Sequence, residues 1–185
     1  MGRKNKPKTY AEQIVMAWAY SRHAYRENRS GFMKLEYGEN ALDSFRRAHE
    51  MQMQESPSCT ALVEAMSICD LLFTQYSKSG LDEFAKETYE LALDTHERIN
   101  NISMSAKDLV PANFLYIKMN LYWPNANLDH LMELLEYTAT LIDELPENIW
   151  KIHLLEAGKY DELIQFRKQR QERDNYVRER VGSEL

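Results

Sequence analysis

The sequence predicts an all-α protein built from antiparallel helical hairpins, on three observations. Its 185 residues include 21 Leu, 20 Glu and 15 Ala but five Val, a composition that favours helices over sheets. Apolar residues recur at the three- and four-residue spacing of one helix face. The six Gly and five Pro stand apart from one another, between these stretches or near their ends. Together they predict eight helices in one chain.

The first half contains four of these predicted helices. Thr9 and Glu12 have capping-box spacing, which begins a helix over 10–27 whose apolar stripe includes Ile14, Val15 and Trp18. Residues 32–37 are predicted as a connector, and Gly38 and Asn40 introduce the second helix. The third helix, over 58–78, has the broadest apolar stripe and is the expected centre of the core. Gly80 is placed for a left-handed cap, and Asp82 begins the fourth.

The second half is predicted to contain four more helices. A connector over 99–107 precedes a fifth helix that begins at 108 and ends near Trp123, and Asn127 caps the sixth. The seventh runs over 147–156 and is closed by Gly158, and the eighth runs from Tyr160 toward 181. After Phe166 no apolar side chain follows until Tyr176. The last stretch is therefore expected to project from the body or to lie against a partner.

Charge divides the chain into three predicted parts. Residues 1–8 carry a charge of +4, residues 9–166 carry -12 and residues 167–185 carry +2, which sum to the net -6. We predict a basic flexible arm over 1–9, a single all-helical domain over 10–166, and a projecting charged helix over 167–185. A basic arm can contact nucleic acid or an acidic partner.

The positions of charged residues and the spacing of the cysteines exclude several classes of protein. No uncharged run approaches the roughly 18 residues of a membrane span. The basic start is followed by Glu12 rather than by the apolar run of a secretion signal. Cys59 and Cys69 are ten residues apart on one predicted helix, too far to form a disulfide. We expect an intracellular protein, of the cytoplasm or of an organelle matrix.

One helix–Gly–helix pattern occurs twice. Tyr76, Gly80, Ala85, Tyr89 and Ala92 are followed, in looser form, by Gly158 and Tyr160, and Ala41, Phe45 and Ala48 repeat the small–aromatic–small spacing. This pattern resembles the tetratricopeptide and pentatricopeptide repeat families. The resemblance implies a superhelix that binds peptides, proteins or RNA without catalysis. Phe73, Leu163 and the 78-residue spacing depart from those families, so an irregular helical bundle is the alternative.

Catalytic and metal-binding patterns are missing from the sequence. The isolated glycines form no phosphate-binding loop, and the five histidines lie on separate predicted helices without ligand spacing. The carboxylates from Glu83 to Glu97 have the spacing of a solvated helix face. We therefore expect no enzyme activity, no cofactor and no metal.

Two hypotheses of function follow. The first is a scaffold or adaptor that binds a protein partner as a subunit of a larger assembly, away from membranes. Its candidate binding residues are Trp123 and Trp150 near helix ends and four residues of the last helix, Arg167, Arg170, Arg173 and Tyr176. The alternative is an RNA- or DNA-binding subunit that contacts phosphates through its basic ends, at Arg3, Lys4, Lys6 and Lys8.

Overall fold

The structure, a computed structural model, describes residues 9–26, 28–52, 59–123 and 126–182, with the backbone alone for 176–182. These residues form seven α-helices and no strand, which confirms the predicted all-α fold. The helices are α1 (Tyr10–Ala24), α2 (Gly31–Gln52), α3 (Thr60–Lys78), α4 (Asp82–Ile102), α5 (Ala106–Leu121), α6 (Leu128–Ile142) and α7 (Glu147–Gly182). None of them combines the length and the hydropathy that a membrane span requires.

The chain divides into two compact units, and the division falls inside α5, between Leu115 and Tyr116. In the first unit α1 packs on α2, α2 on α3 and α3 on α4. In the second unit α6 packs on α7. Each of these contacts joins helices that follow one another in the sequence. The predicted division into an arm over 1–9, a domain over 10–166 and a projecting helix over 167–185 stays a prediction.

The core of the first unit is centred on α3, as predicted. Nine of its residues are buried, among them Leu62, Met66, Leu72 and Phe73. Both predicted small–aromatic–small faces are buried as well, one on α2 and one on α4. Gly38 lies at a close approach of α2 and α3, because a Cβ there would stand 2.7 Å from a Leu72 methyl. A small residue on α2 thus allows the close contact.

Three helix ends are formed by the residues expected. The Thr9 hydroxyl accepts a hydrogen bond from the Glu12 N–H at 3.2 Å, and the Asn127 side chain accepts one from the His130 N–H at 3.1 Å. Gly80 adopts a φ of 69°, and the N–H of Leu81 bonds the carbonyl of Tyr76 at 3.0 Å. This is a Schellman motif, in which glycine avoids the steric cost of a left-handed residue.

Four predicted boundaries are wrong. The first helix ends at Ala24 rather than at 27. Residues 32–37 are helical, because Ser30 caps α2 by accepting a hydrogen bond from the Met33 N–H. α4 continues to Ile102 because Ile99 is fully buried, which leaves a short connector over 103–105. α5 already begins at Ala106.

Gly158 lies inside one helix rather than between two. The seventh and eighth predicted helices are one continuous helix, α7, and Gly158 lies inside it with no atom close to where its Cβ would be. Ala157, Tyr160 and Ile164 are buried on both sides of this glycine, so packing continues through the position. The second helix–Gly–helix unit is therefore absent. The helices give no specific evidence for tetratricopeptide repeats, and that resemblance stays a prediction.

Candidate functional site

One face of α7 exposes a row of large apolar side chains. Ile152, Leu155, Leu163 and Phe166 are exposed at 64%, 72%, 51% and 64%. At about 100° per residue these four positions lie within roughly 80° of one another around the helix. We call this row the α7 stripe. The buried face of α7, with Ala157, Tyr160 and Ile164, points elsewhere, so this helix has two apolar faces.

Basic side chains continue the α7 stripe toward the end of the helix. Lys159 lies between Leu155 and Leu163 on the same face, and Arg170 and Arg173 follow Phe166 one and two turns later. All three are exposed. The face therefore places three exposed cations in line with an apolar row, with the carboxylates of Glu156 and Asp174 at its edge.

Arg167 anchors α7 inside the second unit. Its guanidinium donates to the carbonyl of Leu121 at 2.5 Å and to the carbonyl of Trp123 at 3.0 Å, one at the end of α5 and the other two residues beyond it. The neighbouring Lys168 pairs with Asp129 at 2.6 Å. Of the predicted binding arginines, Arg167 is thus occupied by contacts within the chain, whereas Arg170 and Arg173 are exposed to solvent.

A small cleft adjoins the α7 stripe at Leu163. It holds about 210 Å³ and is lined by Lys118, Leu121, Tyr122, Tyr160, Leu163 and Arg167. Pockets that bind small molecules hold roughly 300–1,000 Å³. The size and apolar walls of the cleft suit one side chain of a partner better than a metabolite.

The two candidate tryptophans lie at helix ends, as predicted, and both are half-buried. The Trp150 indole donates to Asp143 at 3.2 Å, which joins the first turn of α7 to the end of α6. Trp123 follows α5, and its carbonyl is bonded by Arg167. The Tyr176 side chain and all of Arg3, Lys4, Lys6 and Lys8 lie outside the described residues, so their predicted roles stay predictions.

The reactive side chains of the described residues form no cluster. No group of three His, Cys, Asp or Glu in this part of the chain could hold a metal ion. Cys59 and Cys69 are buried free thiols, and desolvation raises the pKa of Cys69 to about 12, which leaves it protonated at neutral pH. The predicted solvated face of α4, with Glu83, Glu87, Glu90, Asp94 and Glu97, is exposed throughout.

A second exposed surface, on α1, was not identified from the sequence. Val15 and Trp18 are exposed at 67% and 46%, although their apolar stripe predicts a buried face. The buried face consists of Gln13, Ala17, Ser21 and Ala24 instead. Gln13 compensates for its burial by donating to the Ser44 carbonyl at 3.2 Å. The sequence does carry a signal for this face. Ala17, Ser21 and Ala24 are small residues at helical spacing, which allows close packing on α2.

No family model, curated protein or solved structure matches this chain.

Proposed function

We propose that this protein is a non-enzymatic scaffold or adaptor that binds a protein partner through the α7 stripe, as a subunit of a larger assembly. The observation that carries the proposal is the exposure of four large apolar side chains on one face of a continuous helix. An apolar row of this kind, beside polar side chains, is typical of a protein-binding surface.

The free energy gained when a partner buries the α7 stripe is large enough to support a complex. Burying a large apolar side chain completely gains about 1.5–3 kcal/mol, and these four are half to three-quarters exposed. Each therefore contributes about 1–2 kcal/mol before the costs of association are subtracted. The rest of the affinity comes from the cleft and from the cations on the same face.

The chemistry of the face indicates an amphipathic helix as the partner segment. Its apolar side chains would lie along the α7 stripe, with one of them entering the cleft beside Leu163. Its carboxylates would face Lys159, Arg170 and Arg173. Nucleic-acid binding by the end of α7 has less support, because the exposed residues 169–175 carry two basic and two acidic groups, a net charge of zero.

Photocrosslinking in native cells tests this proposal. A benzophenone amino acid at Leu155 lies on the α7 stripe, and the same group at the exposed Asp161 lies on another face and serves as the control. We expect a discrete crosslinked protein from position 155 and none from 161. Adding Phe166→Glu to the 155 probe should remove the crosslink, because a carboxylate would replace an apolar contact.

Equal crosslinking at both positions, or none at 155, would contradict the proposal. A crosslink that survives Phe166→Glu would also contradict it, because the partner would then bind elsewhere. Circular dichroism shows whether each variant keeps its helix content. The exposed position of Phe166 leads us to expect little change in stability.

A further inference from the structure

An exposed aromatic ring and two exposed arginines lie together on a surface of the first unit. Along one side of α1 and just past its end at Ala24, Val15 and Trp18 are followed by Arg22 and Arg26, and together with His23 they line an open groove. Val15, Trp18, Arg22 and Arg26 are all exposed. We call these side chains the α1 groove.

The ring of Tyr37 on α2 lies beside the α1 groove, against His23. It stacks on His23 with ring centroids 5.0 Å apart, and the Arg29 guanidinium lies 5.9 Å from its centroid. Trp18 is held from one side, since it meets Phe45 edge-to-face at 5.6 Å, and 46% of its surface remains exposed. Flat rings and planar cations therefore follow one another across the surface.

The local charge is opposite to that of the rest of the chain. Residues 1–35 carry eight Lys or Arg and two Glu, a charge of +6, whereas residues 36–185 carry 15 basic and 27 acidic groups, a charge of -12. The four cations of residues 1–8 directly precede α1. An anionic ligand in the groove would thus meet Arg22 and Arg26 in a stretch of sequence whose net charge is positive.

We propose that the α1 groove binds single-stranded nucleic acid, with a base stacked on Trp18 and phosphates paired with Arg22 and Arg26. Single-strand sites combine a cationic track with aromatic rings on which bases stack, and this surface has both. An acidic peptide would use the cations but would not need the exposed Trp18 ring beside them. A duplex keeps its bases stacked inside, so it would have no use for Trp18.

Fluorescence anisotropy of the full chain with labelled 15-nucleotide single strands, RNA and DNA, over 20–300 mM salt tests the site. We expect Trp18→Ala to weaken binding about tenfold and Trp18→Phe to have a much smaller effect, because stacking needs only an aromatic face. The double variant Arg22→Gln/Arg26→Gln should flatten the slope of log affinity against log salt by about 1.4, since each phosphate contact in a single strand contributes about 0.7.

The matched control is Arg47→Gln/Lys86→Gln, which removes two exposed cations of the same unit outside the groove and should leave the slope unchanged to within about 0.3. The proposal is overturned if neither RNA nor DNA binds at 20 mM salt, or if a duplex binds as tightly as a single strand. It is also overturned if removing residues 1–8 abolishes binding while the groove variants have no effect. A groove that binds polyglutamate but not the oligonucleotides would identify an acidic protein ligand instead.

Discussion

Arg167 shows how one side chain determines where a helix is held. Its two hydrogen bonds satisfy carbonyls at the end of α5, and its positive charge is favourable near the negative end of that helix dipole. A planar guanidinium can bond both oxygens at once, which an ammonium group cannot do in the same geometry. The residue thus stabilises the second unit, although its charge alone suggests a surface role.

We expect Arg167→Ala to lower the free energy of unfolding by about 1–2 kcal/mol, because two charge-assisted hydrogen bonds to half-buried carbonyls are lost. Urea denaturation followed by circular dichroism measures the change. Lys168→Ala is the control, since its ion pair with the exposed Asp129 should contribute less than about 1 kcal/mol. An equal loss for both variants would mean that the guanidinium contacts are unimportant.

At the scale of the helices, two glycines inside α-helices have opposite surroundings. Gly38 faces Leu72 at the contact of α2 with α3, whereas Gly158 faces open space on α7. An added methyl group gains about 1 kcal/mol from helix propensity at either position. At Gly38 that gain is opposed by overpacking of about 1–3 kcal/mol, because Leu72 is fully buried.

We therefore expect Gly158→Ala to raise the free energy of unfolding by about 0.5–1 kcal/mol and Gly38→Ala to lower it by about 1 kcal/mol. Thermal or urea unfolding of the two variants measures the sign of each change in the free energy of unfolding. If a turn were present at Gly158, as the sequence alone suggests, alanine there would destabilise the protein. The sign of the stability change for Gly158→Ala thus distinguishes one continuous helix from two separate helices.

The elements that the sequence predicts correctly depend on local chemistry. The caps at Thr9, Gly80 and Asn127 need only residues within a few positions, and the apolar stripe of α3 is broad enough to require burial. The errors depend on contacts distant in sequence. Gly38 and Gly158 resemble helix breaks until their neighbours are known, and the α1 stripe resembles a core face until α2 packs against the small residues.

The candidate surfaces, too, can be predicted only in part from the sequence. The sequence identifies Arg170 and Arg173 as exposed basic residues of the last helix, because no apolar residue surrounds them. It does not separate Ile152, Leu155, Leu163 and Phe166 from core residues, since an apolar side chain on a helix is more often buried than exposed. The structure shows which face of α7 is packed, and these four side chains lie on a different face.

Over the whole molecule, charge is arranged as a basic beginning and an acidic remainder, +6 against -12. A protein of uniform charge repels its own copies most strongly at low salt, where screening is weakest. Two oppositely charged regions reverse this, because the region 1–35 of one copy attracts the acidic surface of another. The Debye length falls from about 30 Å at 0.01 M salt to about 10 Å at 0.1 M, so this attraction depends on salt.

We expect static light scattering at pH 7 to show stronger attraction between copies at 10 mM salt than at 150 mM. Removing residues 1–8 takes away four positive charges and leaves a net charge of -10, which should restore repulsion at low salt. Attraction that is independent of salt in both proteins would contradict this expectation and would indicate apolar contacts instead.

The position of the division between the two units, inside α5, has a practical consequence for dissecting the molecule. Cutting the chain between Leu115 and Tyr116 would leave ten residues of α5 in one fragment and six in the other. Isolated helices below roughly 12 residues are marginal in water, because nucleation is costly. The six-residue piece also ends in Leu121, whose carbonyl Arg167 bonds. A fragment that carries the second unit should therefore begin before Ala106 and keep this helix whole.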